Sequence, residues 1–443
     1  MSAGDQPQRS KGRFHHARAA HRARAHESAH AEGENGQAAA ESAAPAHPLV
    51  PAGPATLVTT DEQLDELIAH LRAAGSFAYD SEFIGEMSYF PKLCLVQTAT
   101  TERVALVDPL AGVELRPFWE LIADASVEKV VHAGQQDVEP VWRHIGREAR
   151  NVFDTQIAAG FVALPYPLSL SKLVMELTGA KLGKGLTFSH WDQRPLSAMQ
   201  LRYAADDVRY LPLARRELGK RLEACGRSAW AAEECAAMCD PVLYRFDPDA
   251  SYLRVRGASS LHAKNLAVLR ELTIWRDAAA RAEDVPPRTF LRDEILVDMA
   301  RSPIKSADRF DRVRGLPRPV EKEHGERIVE ATLRALSQPA PPSPFGRDEE
   351  PTPADRFRSD ALWAAAQAIC AGRSVDTAAV TSRQECGEFY RTLAAGGDLS
   401  LSRLMQGWRR EALGQPLADF FRGASRLDIT WSEGSLRTEM QSS

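Results

Sequence analysis

The sequence predicts an α/β protein in which a mixed sheet, covered by helices on both faces, precedes purely helical domains. Three strand-like segments come in a row, SFAYDSE, LCLVQTA and RVALVDP, and the short strand KVVHA then alternates with helical stretches. Such alternation is typical of sheets with helices packed on each face. After about Leu211 the strand signals mostly vanish while helical periodicity continues.

Composition narrows the class of protein. The chain has 443 residues, of which 44% are hydrophobic, enough for roughly two to four domains. It contains no apolar run of about 18 residues, and residues 1–30 lack the apolar stretch of a signal peptide. The six cysteines are too few for a disulfide scaffold and lack paired metal-site spacing. We therefore expect a cytoplasmic protein with reduced thiols and no membrane partner.

Charge is unevenly distributed along the chain. The net charge is −5 overall, but residues 51–250 carry a net −8 and residues 251–338 a net +4. An acidic region that concentrates divalent cations, followed by a basic region that attracts phosphates, would give this pattern. Ordinary variation between solvated surfaces would give it as well.

These shifts in composition divide the chain into segments. Residues 1–50 are dominated by Ala, His, Arg, Gly and Glu and bury almost nothing, so we predict a disordered tail, either a weak electrostatic arm for nucleic acid or a solvated segment. The remaining segments follow in order: an α/β domain over 51–220, a connector over 221–257, a helical domain over 258–338, a proline-rich linker over 339–354 and a second helical domain over 355–432.

The first helix of the α/β domain has the clearest local signal. TLVTT, beginning at Thr56, predicts a strand, and Thr60 with Gln63 forms a capping-box pattern. Leu64 and Leu67 begin an apolar face at helical spacing. A second helix is expected around 115–122, ahead of KVVHA.

Three acidic positions in this domain stand at strand ends. Asp80 and Glu82 are two apart on a predicted strand, so their side chains point the same way and suit a hard cation. Asp137 follows the buried-looking strand KVVHA after a turn that Gly134 can form, at the strand end where α/β sites are common. Structural alternatives are a solvated acid pair and a first-turn aspartate favoured by the helix dipole.

A predicted helix supplies two more groups. Tyr203 and Asp207 are at positions i and i+4, so the phenol and the carboxylate share one face, whereas Asp206 points about 100° away. Together the carboxylates of Asp80, Glu82, Asp137 and Asp207 can hold two divalent cations, which favours in-line displacement at phosphorus. Tyr203 would orient the attacking water. Carboxylate ligands indicate Mg²⁺ or Mn²⁺ rather than zinc.

The five residues resemble a known set of motifs. Asp80-Ser-Glu82, Asp137 and Tyr203-x3-Asp207 look like the exonuclease motifs of the DEDD superfamily, tyrosine subclass, and the strings VHAGQQD, FDTQIAA and YAADDVRYL resemble the ribonuclease D family. The resemblance covers about residues 56–215. It implies a ribonuclease-H-like fold and 3′→5′ trimming of RNA, typically of tRNA precursors. It also implies that Asp80 bridges both metals, that Glu82 and Asp207 complete the catalytic-metal site, and that Asp137 acts through the second metal.

The resemblance extends beyond the α/β domain. The stretch from LRELTIWRDAAARAEDVPPRTF to EKEHGERI looks like the HRDC module, a small helical nucleic-acid-binding domain, and its net +4 agrees. Residues 355–430 resemble such a module much more weakly. Candidate phosphate contacts are Arg254, Arg256, Arg276, Arg312, Arg314 and Arg318.

Substrate contacts are harder to predict. Glu86 stands where the family is expected to have arginine, so entry of the 3′ strand would depend on stacking and cationic groups elsewhere. The candidates are Tyr89, Lys92, Gln97, His132, Lys184, Trp191 and Arg194. Four of them have a structural alternative, since Tyr89 and Trp191 suit a core, Lys184 suits a plain surface and His132 suits a satisfied core or loop histidine.

The sequence thus predicts a metal-dependent 3′→5′ exoribonuclease that acts on tRNA precursors and other structured RNA, and we expect a monomer. A DNA 3′→5′ exonuclease remains open, since the same acids serve both polymers. A non-catalytic RNA-binding protein is disfavoured because every expected metal ligand is present.

Overall fold

The computed structural model describes residues 47–85, 88–183, 190–339, 352–432 and 435–442. The predicted disordered tail falls almost entirely outside these residues, as does most of the proline-rich linker. The chain forms two compact units. We call residues 47–82, 93–243 and 352–442 the sheet unit, and residues 83–92 and 244–339 the helical unit.

In the described residues a six-stranded mixed sheet forms the centre of the sheet unit. Its spatial order is β1-β4-β3-β2-β5-β6. β1 pairs parallel with β4, β3 antiparallel with β4, and β5 parallel with both β2 and β6. The strands are β1 (Thr56–Val58), β2 (Ser76–Ile84), β3 (Lys92–Ala99), β4 (Val104–Val107), β5 (Glu128–Val131) and β6 (Val152–Asp154). The predicted α/β fold with a mixed sheet is confirmed.

Helices accompany the strands in the sheet unit. They are α1 (Asp61–Ala74), α2 (Arg116–Ile122), α3 (Gln135–Ile145), α4 (Thr155–Gly160), α5 (Leu170–Thr178), α6 (Ala198–Arg209), α7 (Leu211–Ala224) and α8 (Ser228–Met238). Thr60 and Gln63 form the capping box that the sequence predicts, and Gly75 ends α1 in the left-handed conformation with φ of 70°. The segment predicted as a connector contains α8.

The two faces of β2 belong to different layers of the core. Phe77 and Tyr79 point to one face, where both rings pack against Phe118 of α2. Ala78 points to the other face and packs in a cluster with Ala205 and Val208 of α6. Side chains alternate along a strand, so Asp80 and Glu82 share the α6 face with Ala78.

The helical unit has a core of its own. Its helices are α9 (Ala263–Ala282), α10 (Pro287–Phe290), α11 (Asp293–Arg301) and α12 (Arg318–Ser337). Leu269, Leu272 and Ile328 are fully buried in this core. Arg276 is also buried, with its Nη1 2.7 Å from Asp293 Oδ1, so the prediction that Arg276 contacts phosphate is wrong.

The C-terminal segment packs within the sheet unit. It contains α13 (Pro353–Gly372), α14 (Thr377–Val380), α15 (Arg383–Ala394), the short α16 (Gly407–Arg409), a π-helical turn over Arg410–Gly414 and α17 (Gln415–Phe421). A hairpin of β7 (Ser425–Ser432) and β8 (Ser435–Ser442) follows. β7 lies in the segment predicted to be helical, and β8 lies beyond it. Leu427, Ile429 and Trp431 alternate with polar residues, which is a strand pattern, but it is too short to stand out after a long helical region.

A buried ion pair joins this segment to α8. Arg409 Nη1 and Nη2 lie 2.7 and 2.8 Å from the two carboxylate oxygens of Glu234, and Trp408 Nε1 donates to the same carboxylate at 3.2 Å. Both charged residues are buried, so each compensates the other's lost hydration.

None of the helices within the described residues is long and apolar enough to cross a membrane.

Arg409→Ala should destabilise the sheet unit by about 3 to 5 kcal/mol, because it removes both short ion-pair contacts of the buried Glu234 carboxylate. Urea unfolding followed by tryptophan fluorescence measures this change. Arg410→Ala removes the neighbouring, exposed arginine and serves as the matched control. Equal losses for the two variants would contradict the assigned role of the ion pair.

Candidate active site

The centre of the site lies where β2 extends beyond the end of β5. Ala78 pairs with Val130, the next-to-last residue of β5, so Asp80 and Glu82 extend beyond β5 at its carboxyl end. Carboxylate oxygens of Asp80, Glu82 and Asp207 all lie within 4.8 Å of one another. The sequence analysis predicted that Asp80 and Glu82 lie side by side and that Asp207 lies close to both.

α6 brings Asp207 to this point. Ser197 and Gln200 form a capping box that fixes the start of the helix, and Ala205 and Val208 pack into the cluster beneath β2. Tyr203 lies one turn before Asp207 on the same helix and is half-buried. Asp206 points elsewhere, and its Oδ1 accepts a hydrogen bond from Arg209 at 3.2 Å.

The three carboxylates fit a divalent cation. Like charges this close repel strongly in a partly buried site, so an oxygen-preferring cation among them would remove the repulsion. Gln97 is a further polar residue on this side of the sheet. It lies in β3 on the same face as Ala99, which packs in the cluster with Ala205 and Val208 of α6. Gln97 is completely buried, and its amide has no hydrogen-bond partner within the described part of the chain.

Asp137 occupies a different position from the other three acids. It lies in the first turn of α3, is 1% exposed, and is not a member of the three-carboxylate group found among the described residues. Ser81 Oγ donates to its Oδ1 at 2.5 Å, and Tyr79 Oη donates to its backbone oxygen at 2.7 Å. Burial and the nearby Asp137 raise the pKa of Tyr79, so its phenol stays protonated and donates.

Asp154 is a residue of this site that sequence reasoning missed. Its carboxylate accepts from the backbone N–H groups of Ala133 and Gly134 at 3.1 and 3.0 Å and also caps α4. It thereby fixes the turn that leads into α3 and Asp137. A Cβ at Gly134 would lie 2.5 Å from Val131, so only glycine fits this turn. The FDT string, an aspartate directly ahead of a helix, was the available signal.

Two of the predicted substrate contacts form part of the scaffold. The guanidinium of Arg194 donates to both oxygens of Asp108, at 2.5 and 2.6 Å, and to the carbonyls of Cys94 and Trp191 at 2.7 Å. Trp191 is 4% exposed and packs near the ring of Tyr203, with centroids 6.2 Å apart. Arg194 therefore holds the segment before α6 against the sheet, and the ring of Trp191 lies beside that of Tyr203.

The other predicted contacts have varied environments. His132 is engaged at both ring nitrogens, by Thr155 Oγ1 at 2.9 Å and by the carbonyl of Leu168 at 3.0 Å, as the structural alternative expected. Lys92 is exposed at the start of β3. Lys184 lies outside the described residues. Direct contact of Lys92 and Lys184 with substrate stays a prediction.

Tyr89 belongs to the helical unit, although β2 and β3 flank it in the sequence. Its Oη donates to Asp277 of α9 at 2.6 Å, and its ring packs against the core of that unit. This position differs from the predicted stacking on a base.

Arg194→Ala should lower the free energy of unfolding by about 3 kcal/mol, because Asp108 is buried and would lose its cation. Arg116→Ala, which removes an exposed partner of Glu120 in α2, is the control and should change stability by less than about 0.5 kcal/mol. Thermal unfolding measures both. Full stability of the Arg194 variant with weakened RNA binding would restore its predicted role as a substrate contact.

Comparisons with known proteins agree with this geometry. A family model described as 3′-5′ exonuclease matches residues 55–223, and the model of the HRDC domain matches residues 265–341. The first match contains every residue of the three-carboxylate group, and the second covers α10 to α12 and all but the first two residues of α9.

Whole-chain relatives extend these matches. The chain is 36% identical to ribonuclease D of Gluconacetobacter diazotrophicus over 362 residues, which cover 81% of this chain and 90% of the relative. It is 33% identical to ribonuclease D of Granulibacter bethesdensis over 388 residues, 86% and 96% of the two chains. The structure of Escherichia coli RNase D, described as an exoribonuclease involved in structured RNA processing, matches with a TM-score of 0.73 and 28% identity over 84% of this chain and 99% of that one. The predicted family is confirmed: the chain belongs to the ribonuclease D family of 3′→5′ exoribonucleases.

Proposed function

We propose that this chain trims structured RNA, tRNA precursors among them, one nucleotide at a time from the 3′ end. The observation that carries the proposal is the convergence of Asp80, Glu82 and Asp207 within 4.8 Å at the end of β2, beside a helix that carries Tyr203. The similarity to the Escherichia coli enzyme, whose description names structured RNA processing, supports the class of substrate.

The residues have distinct proposed roles. Asp80, Glu82 and Asp207 would hold the divalent cations directly, and Asp137, which accepts a hydrogen bond from Ser81, would act through the second cation. Mg²⁺ or Mn²⁺ suits these oxygen ligands. Two such cations, when bound, make an attacking water more acidic and neutralise charge on the leaving 3′-oxygen.

The phenol of Tyr203 would orient the attacking water by a hydrogen bond. Its place one turn before Asp207 sets its distance from the carboxylates, and the buried ring of Trp191 limits its movement. Asp154 accepts hydrogen bonds from the backbone N–H groups of Ala133 and Gly134 in the turn before α3. These bonds keep α3, and hence Asp137, in register with β2.

Asp80→Asn should reduce exonuclease activity about a thousandfold or more, since it removes a charge on which several kcal/mol of transition-state stabilisation depend. The substrate is a 3′-extended tRNA precursor labelled at its 5′ end, and a denaturing gel resolves the products. The wild type should give a ladder that shortens by single nucleotides from the 3′ end.

Asp206→Asn provides the matched control. It makes the same chemical change one residue from Asp207, at a side chain that pairs with Arg209, and should keep wild-type activity. A ladder from Asp80→Asn as strong as that from the wild type, or equal losses in both variants, would refute the assignment of the carboxylates. A ladder on single-stranded DNA alone would favour the alternative DNA exonuclease.

Metal binding can be measured without any substrate. Mn²⁺ added to metal-stripped wild type at about 100 times its dissociation constant should stabilise the fold by about 2.7 kcal/mol, because the ion binds only the folded carboxylate site. Asp80→Asn and Asp207→Asn should lose most of this stabilisation in thermal unfolding, and Asp206→Asn should retain it. Equal stabilisation of all four proteins would place the ion elsewhere.

A silent RNA-binding protein is the second class of function, and inactivity of the folded wild type on RNA and DNA with either metal would favour it. The monomeric state and the cytoplasmic location stay predictions.

A further inference from the structure

The helical unit contains a group of metal-ligating side chains of its own. A ring nitrogen of His324 and one carboxylate oxygen each of Glu283 and Glu323 lie within 4.8 Å of one another. All three residues belong to the helical unit. Glu283 directly follows the last residue of α9, whereas Glu323 and His324 are neighbours in α12. The group therefore connects two helices through residues that are about 40 positions apart in the sequence.

His324 is the buried member of this group. It is 8% exposed, and its Nε2 lies 3.1 Å from Glu283 Oε1. Its ring meets Phe290 and Trp275 edge to face, with ring centroids 5.3 and 5.7 Å apart. Aromatic packing thus fixes the plane of the imidazole, and Nε2 is held toward the carboxylates by contacts that are independent of them.

The imidazole of His324 has no hydrogen-bond partner outside the group within the described part of the chain. Its Nδ1 is buried and has no partner there. A neutral ring carries one proton. With the proton on Nε2, the ring donates to Glu283 but the lone pair of Nδ1 is buried without a donor, which costs free energy. With the proton on Nδ1, the lone pair of Nε2 faces two carboxylates, and a cation bound there would relieve the repulsion.

The spacing and the chemistry of the three side chains fit zinc. Zinc binds histidine nitrogen and carboxylate oxygen at about 2.0 to 2.2 Å in a tetrahedron, so neighbouring ligand atoms lie about 3.3 to 3.6 Å apart. Nε2 and Glu283 Oε1 are already 3.1 Å apart, and the exposed side chain of Glu323 is free to adjust its position. A site that includes an imidazole prefers Zn²⁺ to Mn²⁺ or Mg²⁺.

An ion can reach this group from solvent. The side chain of Glu283 is 45% exposed, and Glu323 is exposed as well. The buried imidazole thus lies behind two accessible carboxylates. Three protein ligands leave the fourth position of a tetrahedral ion to a water molecule.

We propose that Glu283, Glu323 and His324 form a second metal site, which binds one Zn²⁺ ion and fastens the end of α9 to α12. The inference goes beyond the proposed function and does not depend on it, since no residue of the carboxylate site takes part. The alternative is an ordinary hydrogen bond between His324 and Glu283, which needs neither an ion nor Glu323.

Hydrogen–deuterium exchange read by mass spectrometry tests the site in the full chain. The readout has to be local, because six of the twelve histidines lie in residues 1–50 and can bind zinc themselves. Zn²⁺ at about ten times its dissociation constant should slow exchange about tenfold in peptides that cover residues 279–290 and 318–328, because local opening must release the ion. Mn²⁺ should need a concentration at least about tenfold higher for the same protection.

Glu283→Gln is the test variant. Its amide oxygen still accepts a hydrogen bond from Nε2 of His324, but the charge of the ligand is lost, so the Zn²⁺ concentration for half-maximal protection should rise at least about tenfold. His324→Gln should abolish the protection. Glu330→Gln makes the same change at an exposed glutamate of α12 outside the group and should behave as the wild type.

Three results would overturn the inference. Exchange in these peptides that Zn²⁺ leaves unchanged in the wild type would show that the group binds no ion. Equal protection of the wild type and Glu283→Gln would leave only the hydrogen bond, and protection by Mg²⁺ at the same concentration as Zn²⁺ would exclude coordination by the imidazole. Exchange of the metal-free proteins shows whether each variant is folded, and Glu283→Gln, at a half-exposed side chain, should keep the fold if His324→Gln does not.

Discussion

The mutual repulsion of three carboxylates at the end of β2 is the constraint on which the rest of the structure depends. Asp80, Glu82 and Asp207 are held within 4.8 Å of one another at a strand end that is partly buried. Like charges this close repel one another, so the scaffold around them must resist relaxation. The alanine-rich contact between β2 and α6, and the anchoring of the preceding segment by Arg194, provide that resistance.

Asp137, the fourth predicted acid, is held by different contacts from the other three. Asp137 is placed from the opposite face of β2, by Ser81 and by the phenol of Tyr79, and the turn before it is fixed by Asp154. Asp137 is therefore supported on the face of β2 opposite to the one that carries Asp80 and Glu82.

Much of the fold and of the candidate site could be predicted because residues close together in the sequence determine it. Spacing of two on a strand and of four on a helix places the carboxylates of Asp80, Glu82 and Asp207, and the capping box at Thr60 marks the start of α1. The rest depends on partners that are far apart in sequence. Arg194 looks like a surface cation until Asp108, 86 residues earlier, is brought beside it, and no local pattern reports that pairing.

The measurement that tests the central claim most directly is a phosphorothioate substitution at the 3′-terminal linkage of an RNA substrate. Sulfur binds Mg²⁺ poorly but accepts softer ions, so contact between the carboxylate-held cation and the scissile phosphate should appear as a metal-dependent defect. The account predicts slow cleavage of the substituted linkage in Mg²⁺ and recovery in Mn²⁺, measured against the unmodified RNA. Equal rates for both linkages in Mg²⁺, or a defect that Mn²⁺ leaves unchanged, would contradict it.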